Sequence, residues 1–244
     1  MTVLAHSPTV LIAGATSPSG AATAAALSEA GASVIAVGTN PDRLHRLSAV
    51  AEGVTGYVCN LADAEEVDSF AAQLHNDSGP IDGLIHLVGG WRGGNGIAGQ
   101  SDEDWDFLHS HVFTTLRNTS RTFYPDLLAS DAGRMAIVSS TAAAKPTASG
   151  ANYSAAKAAA EAWTMAVADG LRRAQSGRKE DPEPQRAAAA AFIIKALVDD
   201  TMRQADPERA FAGYTDVRQL GEAFVDFMTA DAATVNGTRI PLNN

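Results

Sequence analysis

Thr9-Val10-Leu11-Ile12-Ala13-Gly14-Ala15-Thr16-Ser17-Pro18-Ser19-Gly20 carries a short apolar run straight into a turn of small residues, and an alanine-rich stretch follows at once. The run reads as a first β-strand and the stretch as a helix. A small-residue turn lets backbone N–H groups approach a pyrophosphate, and the helix that follows offers its positive end to the same charge. Gly14, Thr16, Ser17, Ser19 and Gly20 are therefore candidate cofactor contacts. Two glycines in a turn also serve close strand–helix packing alone, and the turn by itself leaves both readings open.

The same alternation runs outward from this segment. Short, nearly continuous apolar runs lie at 9–12, 33–37, 55–58, 84–88, 134–138 and 192–197, with longer alanine-rich stretches at 20–30, 41–51, 64–76, 102–128 and 152–173. Strands that are apolar without alternation are covered on both faces, and the intervening stretches are long enough for crossover helices. The expected fold is α/β: a single doubly wound, Rossmann-type domain over residues 1–244, with a parallel sheet and helices on both faces. Asp63 and Ser101 read as helix N-caps and Gly31 as a helix stop. The polar, proline-containing segment 174–186 reads as an exposed surface loop, and Ala187–Ala191 as the lead-in to a buried strand.

Composition narrows the function. The net charge of −10 argues against nucleic acid or an anionic membrane as partner, and 45% hydrophobic against 19% charged residues argues against disorder. One cysteine excludes an intrachain disulfide framework and a multi-cysteine metal centre. The six histidines are scattered, and neither a metalloprotease HExxH nor a serine-hydrolase GxSxG turn is present. Residues 1–6 hold no basic stretch and no apolar run reaches membrane length, so a cytoplasmic protein acting on a small molecule is expected.

Further along the chain, Tyr153-Ser154-Ala155-Ala156-Lys157 puts a phenol and an ammonium on one helix face. The ammonium is expected to lower the phenol's pKa toward neutrality, which suits a side chain that gives a proton to a carbonyl oxygen or takes it back. Ser140, placed on the loop after the fifth strand, would hold that oxygen by a hydrogen bond. At the cofactor's adenosine end, the second strand closes Val37-Gly38-Thr39-Asn40 without an acid, so Thr39 would meet a ribose 2′-phosphate without repulsion. Arg43 either reaches that phosphate or is a solvated surface charge. Asn60 and Leu61, after the third strand, would bond and pack against an adenine. The cofactor expected is NADP or NAD, with the balance toward NADP.

These residues together resemble the short-chain dehydrogenase/reductase family over nearly the whole chain. Ser140 precedes Tyr153 by thirteen residues, the family interval. The resemblance implies a seven-stranded parallel sheet, assembly as a homodimer or homotetramer through the long fourth and fifth helices, and an NAD(P)(H)-dependent oxidoreductase. In it Ser140 orients substrate, Tyr153 is acid and base, and Lys157 binds the nicotinamide ribose and tunes the tyrosine. Departures from the family are equally visible. Ala13 and Pro18 replace a threonine and a glycine of TGxxxGxG, and NNAG becomes His86-Leu87-Val88-Gly89, with Gly89 kept as a cofactor contact. The helix-four asparagine falls on Val112, which makes the neighbouring His111 a candidate for proton transfer. The proline-glycine after the sixth strand is replaced near Lys195-Ala196, and the threonine at the nicotinamide amide falls on Asp200 or Thr201. Val88-Gly89-Gly90-Trp91-Arg92-Gly93-Gly94-Asn95 is similar to a stretch of the dihydropteridine reductases, in which Trp91 would stack on a ring substrate or else cap the core. The expected activity is reduction of a carbonyl or conjugated ring compound; the alternative is a non-catalytic or regulatory nucleotide-binding protein on the same scaffold.

Overall fold

Continuous apolar runs need cover on both faces, and the chain supplies it. A computed structural model describes Leu4, residues 7–50 and residues 52–242; Ala51, expected to end the second helix, and all of segment 1–6 except Leu4 lie outside the described residues. Strands β1 (Thr9–Ala13), β2 (Ser33–Gly38), β3 (Val54–Val58), β4 (Gly83–His86), β5 (Arg134–Ser140) and β6 (Ala188–Ile194) alternate with helices α1 (Pro18–Glu29), α2 (Pro41–Val50), α3 (Ala64–Ser78), α4 (Asp102–Leu108), α5 (Thr115–Ala129), α6 (Thr141–Ala144) and α7 (Ala151–Ala174). After β6 come β7 (Leu197–Val198), α8 (Asp200–Ala205), β8 (Thr215–Asp216), α9 (Val217–Thr229), α10 (Ala232–Val235) and β9 (Arg239–Pro241). The main sheet is seven-stranded and parallel, in the order β3-β2-β1-β4-β5-β6-β9, and β7 and β8 form a separate parallel pair. The order reverses between β1 and β4, the place where doubly wound sheets bind ligands.

Alternate residues of each strand serve opposite faces. Leu11, Ile35, Leu84, Met135 and Ile137 pack with Leu74, Phe123 and Leu171 from α3, α5 and α7. Val10, Ile12, Val34, Ile85 and Phe192 pack on the other side with Leu27, Phe224 and Phe227 from α1 and α9. The caps form as read: the Asp63 carboxylate accepts from the Glu65 and Glu66 N–H groups, Ser101 accepts from Asp104 N–H, and Gly31 leaves α1 with φ +96°.

Three boundaries differ from the sequence expectation. The sixth strand starts at Ala188 and stops at Ile194, so the alanine run is half of the strand and not its approach. Alanine has weak strand preference, but every residue of β6 is buried and short side chains let helices close on both faces. The stretch 102–128 is not one helix: a π-helical turn, His109–Thr114, separates α4 from α5, with no glycine or proline to announce it. Segment 174–186 is exposed for the most part, yet Ala174 still belongs to α7 and the loop is tied down. Gln175 Oε1 accepts from the Arg186 and Ala187 N–H groups, and Glu183 pairs with Arg178 and Arg186. Among the described residues no helix is long and apolar enough to cross a membrane.

Candidate active site

The turn after β1 is built to bring backbone close to something. Gly14 sits at φ +83°, and a Cβ there would come within 2.9 Å of the Val88 nitrogen. A Cβ on Gly20 would lie 2.5 Å from the Gly14 carbonyl oxygen. Ser17 caps α1: its Oγ accepts from Gly20 N–H at 3.0 Å, donates to Gly14 O at 3.0 Å, and lies 3.1 Å from Ser19 Oγ. Pro18 takes the first helical position, where a missing N–H has no intrahelical partner to lose and the fixed φ suits the helix. The departure from the family pattern is thus a favourable helix start.

Two cavities open along the carboxyl ends of the strands, and Val88 lines both. The first, of about 330 Å³, is walled by Gly14 and Thr16 from the turn, Gly38 and Thr39 from the end of β2, and Asn60 and Leu61 after β3. His111 and Thr115 close it from the helical side. Asn60 is fixed by its N–H to Glu66 Oε1 at 2.6 Å, and its Oδ1 accepts from Ala62 N–H at 3.2 Å. Cys59 at its floor is buried, which pushes the thiol up to about 12 and leaves it inert as a nucleophile.

The second cavity, of about 310 Å³, gathers Ser19, Gly89, Trp91, Tyr153, Lys157 and Lys195. Lys157 is 8% exposed, and its Nζ donates to the Val138 carbonyl at 2.8 Å. Burial lowers its pKa to about 8, against the opposing pull of Glu161. Ser140 is the last residue of β5, not a loop residue; it is buried, and its Oγ caps α6 by accepting from Ala142 N–H at 3.2 Å. The expected low phenol pKa is not found among the protein's own groups. Burial raises Tyr153, a hydrogen bond with Ser140 opposes part of that rise, and the Lys157 ammonium stands 5.9 Å from the ring centroid.

The remaining residues singled out in sequence are more dispersed. His111 is exposed; its Nδ1–H donates to Phe107 O at 2.9 Å and its ring stacks on Phe107 at 4.2 Å, so it faces the first cavity and not the wall that carries Tyr153. Val112 is buried next to Gly89. Arg43 and Thr201 are exposed, on α2 and α8, outside the lining of both cavities. Two groups beside Lys157 escaped the sequence reading as site residues. His86 is buried at the end of β4, with Nε2 3.0 Å from Thr115 Oγ1, and burial together with the Lys157 charge lowers its pKa to about 3. Glu161 lies one helical turn beyond Lys157. A single histidine and a single glutamate carry no spacing signal, and only the fold brings them to the lysine.

A glycine turn at the switch point, with a tyrosine and a lysine in the adjoining cavity and a buried serine bonded to that tyrosine, defines a nucleotide-dependent oxidoreductase scaffold. Residues 8–175 match the family described as short chain dehydrogenase, and the chain belongs to that family. It is similar to 2,3-dihydro-2,3-dihydroxybenzoate dehydrogenase of Bacillus subtilis (strain 168), 33% identical over 160 residues that span 64% of this chain and 61% of that protein. It is also similar to the 3-oxoacyl-[acyl-carrier-protein] reductase FabG of Vibrio harveyi, 28% identical over 239 residues, 96% of this chain and 94% of the relative. Among solved structures, the NADPH-bound short chain oxidoreductase of Pseudomonas aeruginosa PAO1 with an atypical catalytic center shares the fold at TM-score 0.84 and 19% identity, covering 99% of this chain and 96% of that one. A short chain dehydrogenase of Shigella flexneri 2a complexed with NADP does so at 0.83 and 19%, over 99% of each chain.

Proposed function

We propose that the chain is an NAD(P)(H)-dependent reductase of a carbonyl or conjugated ring compound, and that NADP(H) is the preferred form. The observation that carries the reading is that Tyr153 and Lys157 line one cavity, with Ser140 buried and hydrogen-bonded to the phenol behind it, and that Val88 is shared between this cavity and the one walled by Gly14 and Thr16. The Gly14–Gly20 turn, packed too tightly against neighbouring backbone for a Cβ at either glycine, would present its N–H groups to a diphosphate, with Ser17 and Ser19 beside it. Thr16, Thr39, Asn60 and Leu61 would hold the adenosine end. No acid stands at Gly38-Thr39, and Arg43 in the first turn of α2 supplies a positive charge for a 2′-phosphate. Gly89 leaves room next to Lys157 for the nicotinamide ribose.

When bound, the nicotinamide supplies hydride. The chain's own part is the proton. Ser140 Oγ orients the substrate oxygen, Tyr153 donates to it, and Lys157 favours the phenolate that remains. His111, on the wall of the first cavity, would return a proton to Tyr153 only through water past Val88, and Thr201 lies outside both cavities. Trp91, 67% exposed at the mouth of the second cavity, offers a flat face to a ring substrate. The likeness of residues 88–95 to dihydropteridine reductases and the dihydroxybenzoate dehydrogenase relative both support a ring compound. A panel of ketones, quinones and oxidised pterins, followed by nicotinamide absorbance, tests this. Turnover of a ring compound that is lost in Tyr153→Phe supports it, and turnover unaffected by that change contradicts it.

Assembly as a homo-oligomer in the cytoplasm completes the reading. Ala155 and Ala158 are exposed and Ala159 half-buried on α7, small side chains suited to close helix approach, and Trp105 on α4 is 37% exposed. A clean monomer in sedimentation at micromolar concentration would contradict it.

A further inference from the structure

We propose that Glu161 is a positioning residue for the reaction: it anchors the Val138–Ser140 backbone and keeps Lys157 protonated, and Arg239 moderates that effect. The proposal rests on Lys157 being a cofactor ligand.

Glu161 lies four residues beyond Lys157 on α7, on the same face, and its side chain is 13% exposed. Ser139 Oγ donates to its Oε1 at 2.5 Å. Ser139 stands between two residues of the site: Val138, whose carbonyl takes the Lys157 ammonium at 2.8 Å, and Ser140, which faces the phenol. One carboxylate thus fixes the strand end that seats both groups. From the far side Arg239 of β9 reaches the same carboxylate, Nε to Oε2 at 2.8 Å and Nη2 to Oε1 at 3.3 Å. Arg239 is 43% exposed on the edge strand, so it draws on the carboxylate without being part of the core.

The charges around Lys157 decide the sign. His86 from β4 is buried and neutral, Tyr153 is neutral, and Lys195 after β6 lines the same cavity. Arg239 shares a neighbouring groove with Lys145. Glu161 is therefore the negative charge that opposes the desolvation of Lys157. Removing it makes the ammonium easier to deprotonate. Removing Arg239 leaves the carboxylate with less competition and makes the ammonium harder to deprotonate.

The test is NADPH affinity against pH, by calorimetric titration of the wild type, Glu161→Gln and Arg239→Gln. Wild-type affinity falls as pH rises through about 8, where Lys157 loses its charge. The midpoint of that fall should move down by about one pH unit in Glu161→Gln and up by a fraction of a unit in Arg239→Gln. A merely structural role would move both midpoints the same way or neither, and that result overturns the proposal. Arg239→Gln, at the sheet edge, decides the matter by the sign of its shift even if Glu161→Gln does not fold. Absence of NADPH binding by the wild type at every pH would instead overturn the cofactor reading beneath the proposal.

Discussion

Tyr153, Lys157 and Ser140 differ in how much of their role is intrinsic. The tyrosine and lysine share a helix face because they are four apart, and that spacing, with the serine thirteen residues upstream, was legible in the chain itself. What spacing does not give is environment. Burial raises Tyr153 where the ammonium alone would have lowered it, so the phenol starts as a proton donor and not as a phenolate. Tyr153→Phe should leave NADPH affinity near wild type and lower kcat/KM by about 10²–10⁴-fold, the usual share of general acid catalysis, as read by steady-state kinetics beside calorimetry. The glycines make a separate point. Gly20→Ala sets a methyl group 2.5 Å from a backbone oxygen with no flexible neighbour to yield. Denaturant unfolding should show a loss of about 1–3 kcal/mol, together with weakened NADPH binding. An unchanged stability would mean that the turn is looser than described.

Elements show where sequence reasoning stops. Strands with β-branched runs were placed within a residue or two, because burial on both faces dictates their composition. The alanine-built β6 and the π-helical turn were not, since alanine favours helix in isolation and no residue in 109–114 breaks one. That turn faces the site: Thr115 Oγ1 donates to the His111 carbonyl at 2.7 Å and meets His86 Nε2 at 3.0 Å, tying α5 to the end of β4. The tie has a pH signature. In the unfolded chain His86 takes a proton below about 6.5, whereas in the fold it resists protonation down to about 3. The unfolded state therefore binds more protons in that window, and stability falls as pH falls, by about 1.4 kcal/mol per unit for this one group. His86→Asn should flatten the fall between pH 6.5 and 5 in denaturant unfolding. An identical slope in the variant would show that His86 does not titrate this way.

At the scale of the whole molecule, one seven-stranded sheet with two apolar faces explains why a chain with so few aromatic residues still has a dense interior. Phe192, Phe224 and Phe227 cluster on one face, with ring centroids 4.7 and 5.5 Å apart, and Phe123 fills the other. Phe224→Ala should cost about 3–5 kcal/mol in denaturant unfolding, because α9 and α1 close tightly over that face and leave little room to collapse. The architecture was readable from the alternation of runs, and the proposed trio of Ser140, Tyr153 and Lys157 rests on its intervals. The supporting shell of His86 and Glu161 was not, because it is assembled from three strands and a helix far apart in the chain. Whether that assembly handles a nicotinamide nucleotide is open to direct measurement: calorimetric titration of the wild type and Lys157→Ala with NADPH, NADP, NADH and NAD. Saturable binding by the wild type, tighter for the phosphorylated pair and weakened in Lys157→Ala, is the expected result; no binding of any of the four would contradict it.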